Sequence, residues 1–397
     1  MHIPFSRVCC EGNELLYIKE VLKSGWLTTA SKTLEFEKKF AQKTGAKYAC
    51  AVNSCTAALH LALEALGVKS GDNVFVPSMT FTATAEVVRY MGAHPVFLDV
   101  EYQTNLITPS IVQDAINRYP QVKHLIVVHF GGHPAEMYND EGDGIIDICK
   151  RNGIKIIEDA AHAFPASINE KAVGSLGDIT CFSFYANKTI TTGEGGMVTT
   201  NNQELYERIK VMRLHGINRD VWNRFTCGSA AWEYDVVAPG FKYNMPDLNA
   251  AVGLAQLEQA DAFREARMRI ALNYLELLSN VNWIDLPLCR VDYSYHAWHL
   301  FFIVIKPDAP VTRDRFIEIM NRNGVGTSVH YKPLYRMSYY RDHYNLEASH
   351  YPQSERMWHG TVSLPIYPQL SLSQIKRVVK VIESMASQKV SFVDNIK

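Results

Sequence analysis

Lys188 stands in the stretch CFSFYANKTITTGEGGMV, in a turn between two runs of β-forming residues, with Gly193, Gly195 and Gly196 close behind it. Glycines let backbone approach a ligand closely. A lysine amine held among apolar or cationic groups loses basicity until it can act as nucleophile and proton carrier near neutral pH. Asp159 closes the apolar run IKIIED, and His162 follows three residues later in AAHAF. A charge directly after a buried-looking strand has no place in a core, whereas ligands of open α/β sheets bind beyond the carboxyl ends of strands. Glu158 must point to the opposite face, because strand side chains alternate, so only one of the two carboxylates can meet a ligand. In VNSCTAALHLAL, Cys55 and Thr56 stand where a helix begins. Free backbone N–H groups and the positive end of the helix dipole there attract an anion, and the Thr56 hydroxyl adds a donor. Ser183, five residues before Lys188, supplies another short hydroxyl, and Phe81 in PSMTFTATAE offers a flat face at a second strand-to-helix junction.

Each residue has an ordinary explanation when taken singly: an exposed turn lysine, a helix-start histidine, a helix N-cap, a core aromatic. Together they meet the four demands of pyridoxal phosphate (PLP) chemistry. These are a lysine to bond the cofactor, a carboxylate to keep its pyridine nitrogen protonated, donors for its phosphate and a flat residue against its ring.

The elements that must position these residues alternate from about residue 45. Helices are expected over 56–66, 82–91 and 144–152, and strands over 73–77, 95–98, 124–129 and 154–158. Short continuous apolar strands alternating with helices predict an α/β fold, a mixed and mostly parallel sheet covered on both faces. Two β-type runs, 179–185 and 196–200, flank the Lys188 turn, and one long helix is expected over 245–278. Beyond about residue 290 the pattern reads as a smaller α+β C-terminal lobe, with strands 300–305 and 326–331 and helices 313–323 and 372–385. The tail from Gln388 has no strong pattern. We expect a large PLP-binding domain over 1–260 and a smaller domain over 261–397.

The 397 residues carry 40 basic and 41 acidic side chains, well mixed, which leaves no positive stripe for a nucleic acid. The longest apolar runs, such as HLFFIVI, are too short to span a membrane. The first residues lack the basic-then-apolar order of a secretory signal. The eight cysteines are scattered without metal or redox spacing. A soluble cytoplasmic enzyme without a metal, a membrane or a nucleic-acid partner is the expectation.

Eight stretches, in order from about residue 10 to 370, resemble the DegT/StrS family of PLP-dependent sugar aminotransferases. They are SGWLTTASKTLEFEKKFA, NSCTAALHLAL, VPSMTFTATA, PVFLDV, IIEDAAHAF, SFYANKTITTGEGGMV, GFKYNMPDLNAAVGLAQL and GVGTSVHYKPLY. The resemblance implies the aspartate-aminotransferase-like fold type I. It implies Lys188 as the lysine bonded to the cofactor, Asp159 on the pyridine nitrogen, His162 near the ring, Phe81 stacked on it, and Cys55, Thr56 and Ser183 on the phosphate. It also implies His330 at the substrate, and a homodimer with shared active sites in which the partner subunit reaches in with the segment 240–247. Many members have Gly-Tyr-Asn-Tyr-Arg there. This chain has Gly240-Phe241-Lys242-Tyr243-Asn244, a form similar to enzymes that make 4-amino-arabinose, so Lys242 and Asn244 are alternatives for meeting the cofactor. Ala30-Ser31 replaces a frequent Gly-Pro in the loop that carries Thr28 and borders the sugar in relatives.

The implied reaction moves an amino group from L-glutamate to a keto or aldehyde sugar acceptor, for amino-sugar and cell-surface polysaccharide or lipopolysaccharide biosynthesis. A nucleotide-linked keto-sugar and a keto-sugar acid are both open as acceptors; the second includes the octulosonate that yields 8-amino-3,8-dideoxy-octulosonate. A PLP-dependent sugar dehydratase of the same fold lacks the lysine, so Lys188 argues against it. A non-catalytic regulator has no use for the intact lysine, aspartate and phosphate set. The glycines of TTGEGGMV do not form the G-x-G-x-x-G of a nicotinamide-cofactor enzyme.

Overall fold

A computed structural model describes residues 2–218 and 234–386. Helices α1 (Glu14–Ser24) and α2 (Ser31–Thr44) lead into strand β1 (Tyr48–Val52). There follow α3 (Cys55–Ala65), β2 (Asn73–Pro77), α4 (Ala83–Tyr90), β3 (His94–Leu98), α5 (Pro109–Arg118), β4 (His124–Val128), α6 (Ile145–Arg151) and β5 (Lys155–Asp159). A small hairpin, β6 (Ser167–Ile168) and β7 (Lys171–Ala172), precedes β8 (Ile179–Ser183), β9 (Gly196–Thr200) and α7 (Gln203–Met212).

Seven strands form one sheet in the order β1-β9-β8-β5-β4-β2-β3. Only β9 runs against its neighbours. Strands β1, β5 and β8 therefore end on the same edge, and the chain leaves them at Asn53, Ala160 and Phe184. Alternation along each strand feeds two cores. Phe75, Leu125, Ile156, Phe182 and Met197 pack on one face with Phe36 and Phe40 of α2. Val74, Val76, Ile126, Ile157, Cys181 and Val198 pack on the other with the apolar side of α3. Strands buried on both faces read as continuous apolar runs, which is why they were legible in the sequence.

The α-helices that follow among the described residues are α8 (Asp247–Glu258), α9 (Ala260–Leu278), α10 (Arg313–Arg322), α11 (Ser338–Tyr344), α12 (Pro352–Gly360) and α13 (Leu372–Ser384). Strands β10 (Ile284–Asp285), β11 (Phe301–Ile305) and β12 (Thr361–Leu364) make a three-stranded antiparallel sheet. Phe301 and Ile303 of that sheet share a separate core with Tyr274 of α9, Phe316 of α10 and Ile382 of α13.

Two expected elements differ. The single helix over 245–278 is two helices that meet at Gln259 (φ −103°, ψ −1°). The side-chain amides of Gln256 and Gln259 both donate to Glu14 of α1, so the break is set by a contact distant in sequence. The expected strand over 326–331 does not form a ladder. Ser328 alone bridges to Ser363, and the segment then delivers His330 and Tyr331 to the large sheet's cavity. The tail from Gln388 lies outside the described residues.

Candidate active site

A cavity of about 360 Å³ opens where β1, β5 and β8 end, and Cys55, Thr56, Phe81, Asp159, His162, Ser183, Lys188 and His330 all line it. These eight come from five separate stretches of the sequence, around residues 55, 81, 160, 186 and 330, which the fold brings together. Position Ser54 caps α3, its hydroxyl accepting from Ala57 N–H at 3.0 Å. The N–H groups of Cys55 and Thr56 belong to the first turn, where no carbonyl of the helix can reach them. Gly196 permits this placement: a Cβ there would lie 2.6 Å from the Ser54 carbonyl carbon and 2.8 Å from Cys55 N. The Ser183 hydroxyl accepts from Tyr185 N–H at 3.3 Å and keeps its own hydrogen to donate toward the same spot.

The last residue of β5 is Asp159, only 5% exposed. Its Oδ2 accepts from the Thr84 hydroxyl at 2.8 Å and its Oδ1 from Ala161 N–H at 3.1 Å. Burial raises its pKa, and those two bonds and the charge of Lys188 oppose the rise without cancelling it. Among the described residues no cation pairs with it. A buried carboxylate in that state calls for a positively charged N–H partner. Glu158 points the other way and is fully buried. It accepts from Gly177 N–H and the Thr180 hydroxyl, both at 2.7 Å, and meets His129 Nε2 at 2.9 Å, so it pins the sheet.

Lys188 lies in the loop from β8 to β9, which the Phe184–Gly195 and Thr192–Phe184 backbone bonds close. Burial lowers its pKa to about 8, with the nearby Cys55 and Asp159 pulling the other way. Its amine has no hydrogen-bond or ion-pair partner among the described residues. Nδ1 of His162 accepts from Gly131 N–H at 3.2 Å, and Nε2 lies 3.1 Å from the Tyr331 hydroxyl. Nδ1 of His330 is 2.8 Å from the Ser363 hydroxyl, and burial holds this imidazole's pKa down to about 4. Phe81 is 54% exposed at the rim.

Thr28, Lys242 and Asn244 do not line the cavity. The Asn244 amide donates to the Thr29 hydroxyl at 2.6 Å, and the Lys242 amine bonds the Asn244 carbonyl oxygen. Thr28 carbonyl accepts from Asp247 N–H at 3.4 Å. The segment adjoins the cavity's lining: Asn53, two residues before Cys55, donates to the carbonyls of Lys242 and Tyr243, and Met245 lies beside Gly195. Tyr331, Asn187 and Glu194 also line the cavity and were not picked from the sequence. Tyr331 could have been found, since it follows His330 directly in VHYKPLY.

The residues present fit PLP. A lone amine, an unpaired buried carboxylate and a helix N-terminus share one cavity at the carboxyl ends of strands. The class that the fold and the site define is therefore a PLP-dependent enzyme. Comparison with known proteins narrows it. The chain belongs to the DegT/DnrJ/EryC1/StrS aminotransferase family, whose profile matches residues 8–383. It is 38% identical over 385 residues to the spore coat polysaccharide biosynthesis protein SpsC of Bacillus subtilis, covering 96% of this chain and 97% of that one. Helicobacter pylori PseC, an aminotransferase involved in the biosynthesis of pseudoaminic acid, superimposes with a TM-score of 0.88 at 26% identity over 98% of this chain and 100% of that one. A Streptococcus pneumoniae protein put forward as a sugar aminotransferase, solved in its PLP form, does so with a TM-score of 0.87 at 28% identity over 98% and 100%. Membership of this family means that the substrates of this chain include a sugar and an amino donor. No helix among the described residues is long and apolar enough to cross a membrane.

Proposed function

We propose that this chain transfers the amino group of L-glutamate to a keto or aldehyde carbon of a sugar, either nucleotide-linked or a keto-sugar acid. The product is an amino sugar for a cell-surface polysaccharide or lipopolysaccharide. The observation that carries the reading is the unpartnered Lys188 amine in one cavity with the unpaired, buried Asp159 carboxylate. PLP, when bound, supplies an electron sink for the bonds at the amine-bearing carbon.

In this reading Asp159 holds the fixed negative charge against the ring nitrogen, and Thr84 and Ala161 hold Asp159. Cys55, Thr56 and Ser183 bind the phosphate, Phe81 covers the ring, and His330 faces the substrate from the smaller lobe. The Lys188 amine, its pKa lowered to about 8, takes the proton from the α-carbon of the amino donor, and in the second half of the reaction gives a proton to the sugar carbon that becomes amine-bearing. The names of the Bacillus and Helicobacter relatives support an amino-sugar product. Residues 1–260 serve as the cofactor domain and 261–397 as the smaller one. The test is spectroscopic. Adding L-glutamate to the PLP-loaded protein should shift its visible band, and mass spectrometry should find an aminated product from a panel of carbonyl sugars that includes nucleotide-linked ketoses and keto-sugar acids. No shift with glutamate would overturn the donor.

A homodimer with shared sites follows from the same reading. It is supported by Lys242 and Asn244 lying outside their own chain's cavity. Co-expressed Lys188→Ala and Asn244→Ala subunits, each impaired alone, should recover about a quarter of wild-type activity from two-fold symmetry with random mixing. No recovery in purified mixed dimers would refute it.

A further inference from the structure

Sequence reading puts His162 against the bound ring as the group that meets it. In the folded chain both imidazole nitrogens are already engaged by protein. The Gly131 backbone can only donate, so Nδ1 at 3.2 Å must present its lone pair. Burial, with the charges of Lys188 and His330 added, holds the His162 pKa well below its ordinary value, so the ring is neutral. Its one hydrogen is therefore on Nε2, and the oxygen 3.1 Å away, the Tyr331 hydroxyl, accepts it.

That leaves Tyr331 with a hydrogen of its own to give. Among the described residues its hydroxyl has no second partner, and the residue lines the cavity with Lys188 and Asp159. Burial and the charge of Asp159 raise its pKa, so it remains a phenol and a donor. Phe81 at 5.7 Å, Phe130 at 6.2 Å and His162 at 6.1 Å between ring centroids fix the plane of its ring. The remaining hydrogen has only the cavity in which to find an acceptor, and an unmet buried donor is costly.

We infer that Tyr331 is the hydrogen-bond donor to an oxygen of the bound ligand, and that His162 is a positioning residue that holds the Tyr331 hydroxyl in place. The inference rests on the PLP reading of this cavity. The acceptor is an anionic or carbonyl oxygen, and it has two possible sources: the phenolic oxygen on the cofactor ring, or an oxygen of the substrate.

The test is Tyr331→Phe, which keeps every ring contact and removes only the hydroxyl. Wild-type protein loaded with PLP is first titrated by its visible absorption; a protein that shows no band would sink the PLP reading and this inference with it, whereas a band in wild type that Tyr331→Phe leaves unaltered bears on this inference alone. If the acceptor is the cofactor's oxygen, the loss of a donor leaves more charge on that oxygen and strengthens its hold on the neighbouring proton. The midpoint of the titration then rises by about one pH unit, the scale of one hydrogen bond to a charged group. If the acceptor is on the substrate, the midpoint stays and the KM for amino donor or sugar rises about tenfold. In either case His162→Ala in the Tyr331→Phe background adds little, because the two act through one bond. A Tyr331→Phe protein with wild-type midpoint and wild-type kinetics would overturn the inference, as would a full shift from His162→Ala with none from Tyr331→Phe.

Discussion

Replacing Asp159 by Asn separates what this residue does for the ligand from what it costs the fold. The surroundings accommodate an amide. Its oxygen can accept from Ala161 N–H, and its NH2 can donate to Thr84, whose hydroxyl can turn its own hydrogen to Thr80, 3.0 Å away. In the cofactor-free protein Asp159 has its pKa raised by burial. A carboxyl raised in this way contributes stability at low pH that is lost as pH rises through its folded value. At neutral pH the free protein should therefore unfold at the same temperature as wild type or slightly higher after Asp159→Asn. With PLP the order reverses. If Asp159 holds the ring nitrogen as proposed, the variant loses a charge-assisted bond worth about 1.5–3 kcal/mol, roughly tenfold to a hundredfold in affinity, together with the charge that keeps that nitrogen protonated during turnover. The glutamate half-reaction, followed by stopped-flow absorbance, should slow on the order of a hundredfold or more. Thermal melts with and without PLP check the stability half. A near-normal half-reaction rate in Asp159→Asn would refute the assignment.

Two other outcomes follow. The neutral Lys188 amine is the reactive form, so covalent attachment of PLP to the cofactor-free protein should speed up about tenfold per pH unit from pH 6, levelling above about 8; a flat profile measured by absorbance would contradict the placement of that amine. Gly196→Ala drives a methyl into the Ser54–Cys55 peptide, so PLP affinity should fall about fivefold to a hundredfold, the scale of a 1–3 kcal/mol overpacking cost, while the visible band of the bound form keeps its position. Equal affinity would mean that the helix start does not hold the phosphate.

What the sequence made legible was local. β2 and β9 were bounded correctly because apolar runs between turn residues have few other readings, and Asp159 stood out because a charge ended such a run. The break at Gln259 was invisible because apolar spacing continues through both helices, and the contact that sets it lies on α1. Likewise 326–331 has the residue types of a strand, but its partner edge is met only at Ser363. His162 was picked by its spacing from Asp159. That both its nitrogens are taken, one by a backbone amide in another loop and one by Tyr331, depends on contacts that no local pattern carries. Thr28, Lys242 and Asn244 were implied by resemblance, and within one chain they do not line the cavity.

The claim that everything else depends on is that Lys188 bonds the cofactor. Reducing the PLP-loaded protein with borohydride, digesting it and mapping the modified peptide tests this in one step. The label is expected on Lys188, in the peptide that carries the loop from β8 to β9, and Lys188→Ala is expected to have no residual turnover; label on any other lysine, or full turnover in that variant, would overturn the assignment.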